Sequence, residues 1–240
     1  MQTDEVRKYY DILEKKKTAL FFKRAFDVVV SFLMLLVLSP VFLVLAIVIK
    51  IDSRGPVFYR QIRVTQYNQK FRIFKFRSMV QGADKGSQVT VNGDARVTRV
   101  GKLVRKCRLD EVSQLIDILR GKMTFVGTRP EVPKYTEHYT DEMMATLLLP
   151  AGVTSLASIY YKDEAELLDA AEEPDKTYVE DVLPAKMYYN LKAIEEFGFF
   201  SDLKIMFMTV FAMLGKKYTS ACVETAEETA EKTVSEETKV

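Results

Sequence analysis

The sequence predicts a mainly helical α+β protein with one small β-hairpin, entered through an apolar membrane helix. Three observations carry this expectation. Residues 28–49 form an apolar run without a charge. Two segments alternating apolar and basic residues flank the polar turn TQYNQ at 65–69. Apolar residues then recur at helical spacing through most of the remaining chain.

Taken in order, residues 1–24 are polar and rich in lysine, with KKK at 15–17 and Lys23-Arg24 before the apolar run, the pattern of a basic juxtamembrane segment. The run itself has 22 uncharged residues, long enough as a straight helix of about 33 Å to cross a bilayer. Positive charge marks the cytoplasmic side, yet here Lys50, Arg54, Arg60 and Arg63 follow the run just as Lys23 and Arg24 precede it. Either one basic flank is carried across, or the segment enters and returns. A return needs a break, and Ser39-Pro40 lies near the midpoint: proline leaves the Leu36 carbonyl without its helical donor, and the serine hydroxyl can serve nearby backbone groups. On charge alone the kinked span and the re-entrant helix stand level. The run starts too far from Met1, is too long, and lacks the cleavage site expected of a secretory signal.

The hairpin follows, from IDSRGPVFYRQIRV through TQYNQ to KFRIFKFRSMV. Residues 81–96 have loop composition. VTRVGKLVRKCRLDEVSQLIDILRG has helical spacing, with Val112, Leu115, Ile116 and Leu119 on one face and Gly121 as the stop. VGTRPEVP is expected as a loop, YTEHYTDEMMATLLL as a helix and PAGVTSLAS as a turn-rich segment. Residues 163–181 carry nine acids against Lys176 and suit a solvated face. Residues 186–214 suit amphipathic helices on the membrane or in the core, and the Thr/Glu tail is too polar to fold. The expected divisions are a basic segment at 1–24, a membrane helix at 25–51, a cytoplasmic domain at 52–218 and a disordered tail at 219–240.

The 240 residues hold 35 Lys and Arg against 33 Asp and Glu. Six of the acids and two of the lysines lie in residues 224–240, so residues 1–223 carry 33 bases against 27 acids. A basic body favours anionic partners such as phosphates or lipid head groups. Nucleic acid is not expected, because the apolar run is present and no binding motif is. A single histidine, His138, excludes a His-rich metal cluster, and Cys107 and Cys222 read as free thiols.

The sharpest chemical feature is Asp110-Glu111, two adjacent carboxylates entering a helix whose positive end favours their anionic form. In isolation such a pair is usually a cap. Around it lie Lys75, Arg77, Arg96, Arg99, Arg105 and Arg129, in loops and at element ends. Guanidinium donors around carboxylates suit a polyphosphate substrate gripped bidentately, with a divalent cation linking phosphate to carboxylate. Neither a GxxxxGK[ST] nor a GxGxxG loop is present, so such a site must be built from side chains.

Together, KRAFDVVVS, the apolar run with its SP pair, GPVFYRQIRV, FRIFKFRSM, DARVTRVGKLVRK, LDEVSQLIDILRGKMTFVGTRP, PAGVTSLAS and SDLKIMFMT resemble the ordered motifs of the bacterial sugar transferases. These are monotopic polyprenyl-phosphate phosphoglycosyl transferases that initiate polysaccharide or glycan assembly, and the resemblance covers about residues 23–214. It implies a re-entrant helix broken at Ser39-Pro40, amphipathic interfacial helices and a catalytic domain on the cytoplasmic face of the inner membrane. It implies that Asp110 is the nucleophile and a Mg²⁺ ligand and Glu111 its dyad partner. Arg129 would contact phosphate, and Lys75, Arg77, Arg105, Asp202, Gln61 and Arg63 match further substrate-binding positions. The implied partners are a UDP-sugar, a polyprenyl phosphate and membrane lipid, and a homo-oligomer is compatible with it. The chain departs from the usual pattern at Thr128, Ser155, Ser158 and Cys107-Arg108. A membrane-anchored, non-catalytic nucleotide-sugar binder or assembly scaffold is the alternative from another class.

Overall fold

A computed structural model of the chain describes residues 3–83, 95–162, 164–169, 171, 173–216 and 218. Most of the expected loop at 81–96 and all of the tail at 219–240 lie outside the described residues. Ten helices and six short strands make a mostly helical α+β fold among them.

Helix α1 (Asp4–Glu14) buries Val6, Tyr9 and Leu13 against Ala145, Leu148, Leu191, Ile194 and Phe197. The first residues are thus part of the globular core, not only a basic approach to the membrane. Lys16 ties this end down by donating to the Glu195 and Phe197 carbonyls at 3.2 and 2.6 Å.

Helix α2 (Lys17–Asp52) is 36 residues long, or about 54 Å. Its most apolar 18-residue stretch is only 6% buried, whereas the core helix of a soluble protein would be mostly covered. Its polarity is inverted: Lys23, Asp27 and Ser31, four residues apart and so on one face, are buried against the domain. Phe32, Leu33, Leu36, Val37, Leu43 and Val44 are exposed. A helix that turns its polar stripe to protein and its apolar surface outward is built for lipid surroundings.

Helix α2 continues through Ser39-Pro40 as one element with Pro40 inside it, so helical hydrogen bonding resumes on both sides of the expected break. The physical reason is local. Pro40 cannot donate to the Leu36 carbonyl, and the Ser39 hydroxyl donates to that carbonyl instead, at 2.8 Å.

The expected hairpin forms, with β2 (Ile62–Thr65) antiparallel to β3 (Gln69–Arg72) from Ile62↔Arg72 to Thr65↔Gln69. Tyr67 and Asn68 adopt φ of 56° and 58° in its turn. Outside it, β1 (Phe58–Tyr59) pairs with β4 (Lys75–Phe76). The single helix expected over residues 97–121 is two: α3 (Arg99–Lys106) and α4 (Leu115–Leu119), joined by a turn and the 3₁₀ segment Val112–Gln114. Arg108 in this turn has φ 51°, a conformation a non-glycine residue rarely takes and that is concentrated at functional sites.

Strand β5 (Met123–Val126) pairs in parallel with β6 (Ala151–Thr154); β6 lies in the segment expected to be turn-rich, while residues 127–132 of the expected loop form neither helix nor strand. The two strands meet closely: a Cβ on Gly152 would lie 2.1 Å from the Gly127 carbonyl oxygen. Between them, α5 (Pro133–Thr136) and the 3₁₀ segment Met143–Leu148 replace the one expected helix. Helices α6 (Leu156–Tyr160), α7 (Glu164–Asp169), α8 (Pro174–Thr177) and α9 (Leu183–Glu195) follow. The last, α10 (Phe199–Met213), buries Ile205 against Val126 and Ile159, while Phe200, Phe207, Val210, Phe211 and Met213 stay exposed.

Candidate active site

Strand β4 and the α3–α4 turn bring the chemistry together. The Phe76 amide donates to the Asp110 carbonyl at 3.0 Å, and the Ser113 hydroxyl lies 3.2 and 3.0 Å from the Asp110 and Phe74 carbonyls. These bonds hold the Asp110 backbone against the strand that carries Lys75. Lys75 Nζ donates to Glu111 Oε1 at 3.3 Å, and Arg129 Nη2 makes a short ion-paired hydrogen bond to the same oxygen. Both cations thus converge on one oxygen of Glu111. No described side chain hydrogen-bonds to the Asp110 carboxylate; Ser113 and Phe76 reach only its backbone.

The electrostatics divide the pair. Burial pushes the Asp110 carboxyl up and the Glu111 charge adds to this, against the lowering influence of Lys75 and Arg105. Burial would also raise Glu111, but Arg129 and Lys75 outweigh it and hold that carboxyl well below the usual range. Arg129 is raised in return, chiefly by Glu111. Burial lowers Lys75, opposed by Glu111. Two adjacent carboxylates thus take different roles: Glu111 is the permanent anion that fixes the cations, and Asp110, bonded among the described residues only by its own backbone amide, is the more basic carboxylate. If Asp110 must be ionised to react, activity falls as pH drops through its raised pKa, above the ordinary aspartate value of about 3.9. Glu111→Gln removes one raising charge and frees Lys75 and Arg129 to act on Asp110, so the acid limb of its residual activity is expected to move to lower pH. A pH–rate profile of the two proteins checks this.

The Arg129 loop is held from three sides. The Gly127 amide donates to the Thr154 carbonyl at 2.9 Å and the Gly152 amide to the Thr128 carbonyl at 2.8 Å. Arg63 Nη1 donates to the Pro130 carbonyl at 3.1 Å, while its Nε and Nη2 donate to Gln61 Oε1 at 3.2 and 2.7 Å. Next along the chain, buried Glu131 accepts from the Tyr178 hydroxyl at 2.6 Å and lies 3.7 Å from Lys186, which also bonds Glu164 at 2.8 Å. The acidic stretch 163–181 is therefore partly a clamp on the Arg129 loop and not only a solvated face.

Of the residues singled out from sequence, Asp110, Glu111, Lys75 and Arg129 converge, and the Arg105 charge acts on Asp110. Gln61 and Arg63 sit one layer back. Two do not join them. Arg77 is buried and donates to the Ile49, Ser53 and Arg54 carbonyls and to Ser53 Oγ, so it closes the C-terminus of α2, whose last carbonyls lack helical donors. Asp202, in the first turn of α10, pairs with Lys23 at 2.5 Å, and Lys23 also donates to the Val126 carbonyl at 2.7 Å. That pair locks α2, β5 and α10 together. Of the other two arginines, Arg96 donates to the Ala83 carbonyl at 2.9 Å and Arg99 opens α3. Glu131, Tyr178 and Lys186 were missed by sequence reasoning because they are far apart in the chain; only a charged residue directly after Arg129-Pro130 hinted at them.

Among the described residues one helix is long and apolar enough to cross a membrane, and the domain that follows it gathers an adjacent carboxylate pair with Lys75 and Arg129. Comparison with known families agrees. Residues 18–216 match the bacterial sugar transferase family, and the chain belongs to it. It is 37% identical over 196 residues to the UDP-glucose:undecaprenyl-phosphate glucose-1-phosphate transferase of Klebsiella pneumoniae, covering 79% of this chain and 39% of that protein. It is 33% identical over 198 residues to the UDP-N-acetylgalactosamine-undecaprenyl-phosphate N-acetylgalactosaminephosphotransferase of Aeromonas hydrophila, covering 81% and 44%. The exopolysaccharide production protein ExoY of Rhizobium meliloti is 31% identical over 207 residues, 80% of this chain and 84% of that protein. The chain thus spans about two fifths of the length of the first two relatives.

Proposed function

We propose that the chain transfers a phosphosugar from a UDP-sugar to a polyprenyl phosphate, such as undecaprenyl phosphate, at the cytoplasmic face of the inner membrane. The product would start a polysaccharide or glycoconjugate. The observation that carries this reading is the contrast within the dyad: a half-buried Asp110 carboxylate without a side-chain partner stands beside a Glu111 whose Oε1 is ion-paired with Lys75 and Arg129. An Asp110 oxygen attacks the β-phosphorus; the bond from that phosphorus to the bridging oxygen breaks, and UMP leaves with the electron pair. A phosphate oxygen of the lipid then attacks the same phosphorus and Asp110 departs as the carboxylate. Arg129, Lys75 and Arg105 spread the phosphate charge so that the anionic nucleophile can approach.

Among the described residues no three His, Cys, Asp or Glu side chains gather to hold a metal. Mg²⁺ fits the donor set even so, because it keeps several waters and takes one or two carboxylates plus substrate phosphates. Asp110 is the carboxylate free to join it. When bound, the ion would supply neutralisation of the diphosphate charge.

The re-entrant path is part of the proposal. Before the apolar run, Arg24 donates to the Ile118 and Leu119 carbonyls, and Asp27 accepts from Thr124 Oγ1 and the Phe125 amide. After it, Asp52 accepts from the Val100 amide and Arg77 holds the Ser53 carbonyl. Both flanks are fastened to one folded domain, and a domain with loops and sheet edges does not extend through hydrocarbon. Cysteines at Thr18 and Arg54 in a Cys-free variant are expected to label only from the cytoplasmic side; labelling of either from outside would mean that α2 crosses.

The sugar is not borrowed from relatives, since those of similar identity are named for glucose and for N-acetylgalactosamine. A panel of UDP-sugars with Mg²⁺ and undecaprenyl phosphate is expected to release UMP with at least one donor. UDP-sugar binding without UMP release from any donor would favour the non-catalytic scaffold.

A further inference from the structure

A second basic cavity lies on the other side of the hairpin. It has a volume of about 480 Å³ and is lined by Arg60, Lys70, Phe71, Arg72, Asp117, Arg120 and Lys122. Successive side chains of a strand point to opposite faces. Lys75 turns to Glu111, and its neighbour Phe74 turns away, with Arg60 stacked 3.5 Å and Arg120 5.5 Å from its ring centroid. This cavity is therefore separate from the Asp110 site.

Its charge is only partly compensated: five cations face one acid, Asp117, whose charge acts on Arg60 and Arg120. Among the described residues no carboxylate forms an ion pair with any of the five cations. Asp117, the acid in the lining, is 2% exposed and accepts from the Phe74 amide at 2.7 Å. Arg60 Nη2 is spent on the Arg72 carbonyl, and its Nε is buried without a hydrogen-bond partner. Lys70, Arg72, Arg120 and Lys122 remain exposed around the rim. Five cations around one buried carboxylate still repel one another, and a further anion relieves that repulsion.

The location says which anion. Phe71, one wall of the cavity, packs in the cluster that takes in Leu35 and Leu38 of α2. Beside it, Arg24 of α2 donates to the Leu119 carbonyl, next to Arg120. The adjoining surface of α2 exposes Phe32, Leu33, Leu36 and Val37. An anionic amphiphile whose chains lie on that apolar surface would bring its charged group to the cavity mouth. We infer that the Arg60–Lys70–Arg72–Arg120–Lys122 cavity binds the phosphodiester head group of an anionic membrane phospholipid. The cavity anchors the hairpin side of the domain at the bilayer surface, and its occupancy is independent of the transfer reaction.

The test uses the full chain purified in neutral detergent, with native mass spectrometry counting retained phosphatidylglycerol and phosphatidylcholine of identical acyl chains. Wild type is expected to retain phosphatidylglycerol selectively. Each basic residue near an anionic surface contributes about fivefold, so K70Q/K122Q, which leaves the Arg60–Phe74 stack intact, should lose about tenfold or more of that selectivity. Arg60→Gln should lose it too, and K102Q/K192Q, two lysines elsewhere on the surface, should keep it. Equal retention of the two lipids by wild type, or undiminished selectivity in K70Q/K122Q, would overturn the assignment. Displacement of phosphatidylglycerol by millimolar inorganic phosphate would also overturn it, marking a site for free anions.

Discussion

Asp110→Asn is expected to lower UMP release by about 10⁴-fold or more, the scale on which loss of a covalent nucleophile is felt, while the protein stays folded and no less stable. The second half distinguishes a nucleophile from a structural acid. The Asp110 carboxyl is raised in the folded protein, first by burial and then by Glu111. A raised folded pKa means that the protonated form suits the fold and that stability is lost as pH rises through that pKa. Above that pKa the ionised carboxylate is thus a burden on the fold, and a neutral amide of nearly the same shape relieves it. Thermal unfolding of the variant should therefore occur at the same temperature as wild type or higher. A large fall in melting temperature would assign Asp110 a structural role. Retained turnover would remove it from the chemistry.

Arg129→Lys is expected to cost about 10²–10³-fold in kcat. The side chain keeps its charge, so Glu111 keeps an ionic partner, but the planar fork is lost and with it the bidentate grip on phosphate oxygens. One guanidinium nitrogen is committed to Glu111, and the remaining donors are free for substrate. The loop that presents them is tied through Gly127, Thr128 and Pro130, so a shorter-reaching ammonium cannot be carried forward by movement of the backbone. Steady-state kinetics with a responsive UDP-sugar, together with the melting temperature, separates the effects: kcat should fall while the fold persists. Near wild-type turnover would mean that Arg129 serves only to neutralise Glu111.

The dyad and its cations were legible in the sequence because each is a charged side chain in an ordered motif, and local chemistry was enough to group them. The hairpin was legible for a similar reason, since alternation and a polar turn are properties of neighbours. The parallel β5–β6 pair was not, because its partners are 28 residues apart at Met123↔Ala151 and each strand alone is four residues of unremarkable pattern. The interruption before Asp110 was also hidden: the apolar spacing runs on from α3 to α4, and only the backbone shows Arg108 turning left-handed between them. Arg77 and Asp202 were grouped with the site by motif, but burial sent the first to the end of α2 and the second to Lys23. For α2, hydropathy indicated the run and missed its inverted stripe, although Lys23, Asp27 and Ser31 recur every four residues.

The central claim is that Asp110 carries the phosphosugar between donor and lipid. Its most direct test is the intact mass of the protein incubated with a responsive UDP-sugar and Mg²⁺ in the absence of polyprenyl phosphate, quenched in acid. One added sugar phosphate, mapped to the peptide containing Asp110, discharged by polyprenyl phosphate and absent from Asp110→Asn, is the predicted result. Steady transfer to lipid with no added mass on rapid quench, or the same mass on another residue, would contradict it.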